Sequence, residues 1–168
     1  MSSLMYSLTA PVFVRMLGNL SGLLDKGAAY AAARKIDPAV LVNARLFPDM
    51  FPLANQVRIA ADFAKGAVAR LTGSEPPRFA DDETTFEELK ARVARTIEYV
   101  QQFRPEQFEG AETRIVTMKM RGEDKRFDGT TYLATIVLPN FYFHLTTAYD
   151  ILRHNGVDVG KRDFLGPI

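Results

Sequence analysis

The chain contains no cysteine. That absence removes disulfide staples, thiolate metal sites and a cysteine nucleophile together, so stability has to come from packing. Histidine is nearly as scarce, with 2 residues, His144 and His154, in a chain of 168. A charge excess of one sign is missing too, because 21 Lys and Arg nearly cancel 20 Asp and Glu. A nucleic-acid partner would demand a basic excess or stripe, and none is expected here. No run reaches about 18 uninterrupted apolar residues, so no membrane span is expected. The opening segment, MSSLMYSLTAPVFVRMLGNLSGLLDKG, lacks a basic leader region and an Ala-x-Ala-like cleavage site, and Arg15 interrupts its apolar run. It reads as a mature helix, and the expected location is cytoplasmic.

Motifs for several mechanisms are also missing. There is no Gly-rich phosphate loop, no His-Glu-x-x-His, no Gly-x-Ser-x-Gly and no EF-hand loop. Paired carboxylates on a helical core face, the signature of di-iron bundles, are absent.

What is present is an ordinary globular composition, 47% apolar and 24% charged. A chain of this length suits a single domain over residues 1–168 that buries roughly 70% of its unfolded surface. Phe13, Met16, Leu17, Leu20, Leu23, Leu24 and Ala31 fall in one arc at helical spacing and predict a first helix ending near Lys35. Gly18, Ser21 and Gly22 are places where it could bend. Pro52 suits the first turn of a second helix, striped by Leu53, Val57, Ala60, Ala64, Ala67, Val68 and Leu71. Arg58 and Asp62, four apart on its other side, read as a solvated ion pair. Gly73 and Pro76-Pro77 close it.

Overlapping capping boxes, Thr84-x-x-Glu87 and Thr85-x-x-Glu88, open a third helix lined by Phe86, Leu89, Val93, Ile97 and Val100. The period then changes: Val116, Met118 and Met120 alternate with Thr117 and Lys119, and Gly122 to Lys125 reads as a polar turn. A short strand or hairpin fits residues 113–128 best. A last helix begins between Thr130 and Asn140 and runs to His154, with Pro139 marking its first turn or a kink. The architecture expected is all-α, a four-helix bundle with a small β-hairpin or irregular insert before the last helix.

The ending, LPNFYFHLTTAYDILRHNGVDVGKRDFLG, holds both histidines. Phe141, Leu145, Ala148, Ile151 and Leu152 set its buried face, and His144 lies within about 50° of the centre of that arc at 100° per residue. His154 lies outside it. Ten residues of helix separate the pair by about 15 Å, too far to share one ion with Zn–N bonds of about 2.0–2.1 Å. Arg153 and His154 suit a helix C-terminus, Asn155-Gly156 suits a left-handed cap, and Val157 is placed to meet Leu152 as in a Schellman motif. His144 is therefore either a core imidazole with satisfied nitrogens or a ligand-facing acid/base.

Gln56, at the edge of the second helix's inward arc, either ties two helices together or joins His144 in a polar pocket. Tyr142 and Tyr149 share another edge of the last helix and pack by their rings or line that pocket. Lys161, Arg162 and Asp163 either return over the bundle mouth or are solvated.

These residues carry a resemblance. The chain resembles the DinB-like superfamily of bacterial four-helix bundles, in particular a branch described as a domain of unknown function, whose ending is similar to PNFYFHLTTAYDILRHNGV and GKRDFLG. In the wider superfamily a divalent metal such as Zn or Ni is held by one histidine of the second helix and two, four apart, of the last. That resemblance implies Gln56 at the first ligand position, His144 at another and Ala148 at the third. Metal-dependent members include thiol S-transferases and a maleylpyruvate isomerase.

The resulting expectation is a degenerate, metal-free pocket at Gln56 and His144, with Tyr142, Tyr149 and Asp163 as further pocket residues, binding a small molecule. The alternative is a transferase or isomerase using His144 as acid/base, or a metal held by Gln56, His144 and a tail carboxylate such as Asp163. A homodimeric scaffold is compatible with either, and exposed apolar surface on the first or third helix would favour it.

Overall fold

The computed structural model describes residues 3–167. A short α1 (Leu4–Ser7) leads into α2 (Ala10–Arg34), which ends where Lys35 turns left-handed at φ 56°. The short α3 (Pro38–Val42) is capped by the Asp37 carboxylate, which accepts from the Ala39 N–H at 2.9 Å. Next come α4 (Leu53–Leu71) and α5 (Phe86–Val100). A 3₁₀ turn at Pro105–Phe108 precedes the hairpin of β1 (Ile115–Met120) and β2 (Glu123–Asp128). The chain re-enters helix at α6 (Gly129–Thr131), widens into a π-helical stretch at Tyr132–Val137, continues as α7 (Leu138–His154), and closes with α8 (Lys161–Leu165).

The four long helices form the bundle. In space α2 lies against α5, α5 against α4, α4 against α7, and α7 returns to α2, with α8 laid on α2. Each apolar stripe becomes core: Phe13, Leu17, Leu20 and Leu24 from α2, Val57, Ala60 and Ala64 from α4, Leu89 and Val93 from α5, and Phe141, Leu145 and Ile151 from α7 are all buried. The alanines of α4 leave room for α7 to approach, and this is the most extensive helix contact in the molecule. Among the described residues no helix is long and apolar enough to cross a membrane. No large apolar side chain of α2 or α5 is strongly exposed.

Four local details differ from expectation. Pro52 stands just before α4 rather than inside its first turn, with extended ψ of 166° and its carbonyl accepting from the Gln56 N–H at 3.1 Å. Only one capping box forms, between Thr85 and Glu88. The Glu88 carboxylate also takes the Thr84 N–H and hydroxyl, so Glu87 is not needed. The hairpin turns at Arg121-Gly122, both with positive φ, and Glu123 to Lys125 therefore belong to the second strand. Finally, Arg58 and Asp62 do not pair with each other. The loop after Pro76-Pro77 folds back across α4 and α5, so Arg58 reaches Glu83 at 2.9 Å while Asp62 binds Arg92 at 2.8 Å and Lys65 at 2.6 Å.

Pro139 stands in the first turn of α7, directly after the π-helical stretch, and the helical path continues there without a break. With no N–H, the proline cannot serve the carbonyl four residues back, and its ring crowds that carbonyl. The π-helical turns immediately before it lengthen the path, so the helix carries on through the proline to His154.

Candidate functional site

His144 is placed by α7 on the face turned to α4 and is 8% exposed. Its Nδ1 lies 2.7 Å from Oε1 of Gln56, which is itself 1% exposed. The other end of the Gln56 amide donates an N–H to the Phe51 carbonyl at 3.0 Å. That bond fixes the amide orientation, since a flipped amide would press oxygen against oxygen. With Oε1 as acceptor, Nδ1 must carry the proton, and the lone pair of the imidazole is on Nε2. No protein group among the described residues hydrogen-bonds Nε2.

Aromatic rings hold the imidazole on two sides. Phe63 stacks on it at 6.2 Å with planes 18° apart, and Phe143 meets it edge-on at 5.2 Å. Burial pushes the His144 pKa down, so the neutral ring is favoured further at neutral pH. Beside the ring is a surface cavity of about 230 Å³, lined by Asp49, Met50, Phe51, Gln56, Phe143 and His144.

The wall opposite α7 is the loop between α3 and α4. It is tied in place by Arg45, which donates to the Met50 carbonyl, by the Leu53 N–H on the Ala44 carbonyl at 2.9 Å, and by Gln56 on Phe51. A neutral imidazole with a fixed tautomer and an unshared Nε2 lone pair can accept a hydrogen bond, take a proton or bind a cation.

Tyr142, Tyr149 and Asp163 line no part of this cavity. Five residues of helix turn Tyr149 about 140° away from His144, and two turn Tyr142 about 200°. Tyr149 instead packs edge-on against Phe164 at 5.9 Å, and Tyr142 against Phe141 at 5.4 Å, 37% exposed. Asp163 caps α8 by accepting the Gly160 N–H at 2.8 Å and pairs with Lys26 at 2.8 Å. Those hydrogen bonds and the lysine hold its carboxyl below the ordinary aspartate range. His154 is exposed at the end of α7, where Gly156, at φ 92°, and Val157 complete a Schellman motif. Val157 donates to Leu152 and Gly156 to Arg153, both at 3.1 Å.

Asp49, Met50, Phe51, Phe63 and Phe143 escaped sequence reasoning. Phe63 follows Gln56 by seven residues and so shares its helical face, a signal that was present. Nothing local indicates that the Asp49 to Phe51 loop folds onto α7.

Residues 5–165 match the model of a family described as a domain of unknown function, DUF1993. The chain belongs to the DUF1993 family. A crystal structure described as a DinB family member protein from Shewanella denitrificans is 44% identical and superposes on this DUF1993 chain with a TM-score of 0.91, covering 97% of this chain and 92% of that one. The DUF1993 fold is thus DinB-like. No curated protein matches the sequence.

The metal that the wider superfamily implies does not fit the residues of this DUF1993 site. Oε1 of Gln56 is taken by the His144 N–H, its amide N–H by Phe51, and the fully buried Ala148 has no donor atom. Among the described residues no group of three His, Asp or Glu side chains is arranged to hold an ion.

Proposed function

We propose that the cavity beside the Gln56–His144 pair is a small-molecule site that works without a resident metal. One observation carries this reading: Gln56 spends its carbonyl oxygen on Nδ1 of His144, leaving Nε2 as an acceptor at the cavity surface. Nε2 is not among the buried polar atoms without a partner, so it is open to water and to a ligand alike.

Titration calorimetry with Zn²⁺, Ni²⁺ and Mn²⁺ tests the metal-free arrangement, and the expected result is no stoichiometric binding at micromolar concentration. Micromolar binding of one ion per chain, abolished in His144→Ala, would overturn it.

A second reading is favoured by the tautomer itself. A neutral imidazole whose N–H is fixed by a neighbour is poised to remove a proton from a bound molecule, as a transferase or isomerase without a metal would require. Any activity found should then be lost in His144→Ala and follow a pH profile rising through the His144 titration.

A further inference from the structure

The composition of the cavity wall narrows what it can hold, taking as given that it is a ligand site. Its side chains offer mainly acceptors. Nε2 of His144 offers a lone pair, and the Gln56 amide holds His144 with its oxygen and the Phe51 carbonyl with one N–H. Asp49 is the charged side chain among the lining residues, and among the described residues it has no ion-pair or hydrogen-bond partner. Arg45, four residues before it, donates to the Met50 carbonyl and makes no pair with Asp49. The remaining wall is apolar: Met50, with Phe51 and Phe143 at 55% and 54% exposure. No lining side chain is cationic, so a carboxylate or phosphate would meet repulsion from Asp49 and find no counter-charge.

An unpaired carboxylate, an unshared imidazole lone pair and two open phenyl rings carried by residues that line one cavity suit a cation that also donates hydrogen bonds. Ring faces attract ammonium groups through their quadrupole, and the carboxylate adds charge attraction. We propose that the cavity takes a small organic ammonium ion, its apolar body against Phe51 and Phe143 and its N–H groups donated to His144 Nε2 and the Asp49 carboxylate. The Gln56 lock is then part of recognition. It keeps the proton on Nδ1, so that Nε2 meets the ligand as an acceptor rather than as a competing donor.

Three probes of one shape test this on the full chain at pH 7.5: benzylamine, benzyl alcohol and benzoate. Binding is followed by the side-chain ¹⁵N resonances of His144 and by calorimetry. Benzylammonium should shift Nε2 and bind best, with benzoate at least about tenfold weaker. Asp49 is exposed, so Asp49→Asn should fold normally and weaken benzylammonium about two- to fivefold, the range of one partly solvated ion pair. Phe143→Ala should weaken it by a similar factor.

Equal affinity for the alcohol and the amine, tighter binding of benzoate, or an Asp49→Asn protein with unchanged affinity would overturn the ammonium assignment while leaving a ligand site in place. No perturbation of His144 by any of the three at tens of millimolar would overturn the ligand site together with it.

Discussion

His144 is a residue whose neighbours decide its chemistry. Its burial lowers its pKa from 6.5, which has a definite consequence for stability. The unfolded chain takes up a proton near pH 6.5 that the folded chain resists, so stability falls as pH drops through 6.5 toward the lower folded value. Urea denaturation between about pH 7.5 and 5.5 should therefore show a decline that His144→Gln removes. Gln56 acts on the same ring by hydrogen bonding. Truncating it in Gln56→Ala strands the buried Nδ1 proton and should cost about 1–3 kcal/mol in urea unfolding. Long-range ¹H–¹⁵N spectra should at the same time change from a single tautomer to a mixture. A structural cost with the tautomer unchanged would mean that the lock is not Gln56.

Elements in this chain are delimited by chemistry that is local and therefore legible. The Thr85–Glu88 box opens α5, and Thr85→Ala should lower stability by about 0.5–2 kcal/mol, measured by chemical denaturation. Gly156 ends α7 in the left-handed region at φ 92°, and a Cβ there would stand 2.7 Å from the Tyr30 hydroxyl. Gly156→Ala should therefore cost at least about 1–2 kcal/mol from backbone strain alone, with Tyr30→Phe relieving little of it, because the hydroxyl can move and the backbone cannot. Both features were readable from a few consecutive residues. The π-helical turns before Pro139 were not. Proline announces a conflict with the i−4 carbonyl, but the neighbouring helices decide whether the chain breaks, kinks or widens.

The whole molecule is closed by a charge network that spans three segments. Arg92 of α5, 2% exposed, binds Glu83 at 2.9 Å, Asp62 at 2.8 Å, Asp81 at 3.0 Å and the Ala80 carbonyl at 2.7 Å. Phe79 of the same loop lies under Arg95, with the guanidinium 3.8 Å from the ring centre. Burial alone would raise the Glu83 pKa, but hydrogen bonds from Arg92 and Arg58 and the guanidinium charge outweigh it and leave the carboxyl lowered. Its contribution to stability is therefore present above pH 4.5 and lost as pH falls through the lower folded value. Removing the cation in Arg92→Met leaves Glu83, at 7% exposure, with Arg58 as its remaining ion-pair partner and should cost about 3 kcal/mol, the low end for a broken buried pair because Arg58 stays bound and Asp62 and Asp81 are partly solvated. Thermal unfolding would check this, and a loss below 1 kcal/mol would mean that water replaces the guanidinium.

Periodicity, caps and turn residues act over a few positions, and from them the four long helices, their buried stripes, the hairpin before the last helix and the Schellman end of α7 were legible in the chain. The same patterns place Gln56 and His144 on inward faces. Packing of the elements settled that these two touch, that the Asp49 to Phe51 loop walls the cavity beside them, and that Arg58 and Asp62 abandon each other for Glu83 and Arg92. Those outcomes join residues up to 88 apart in sequence, and they follow from where loops fold over packed helices, which no local pattern encodes.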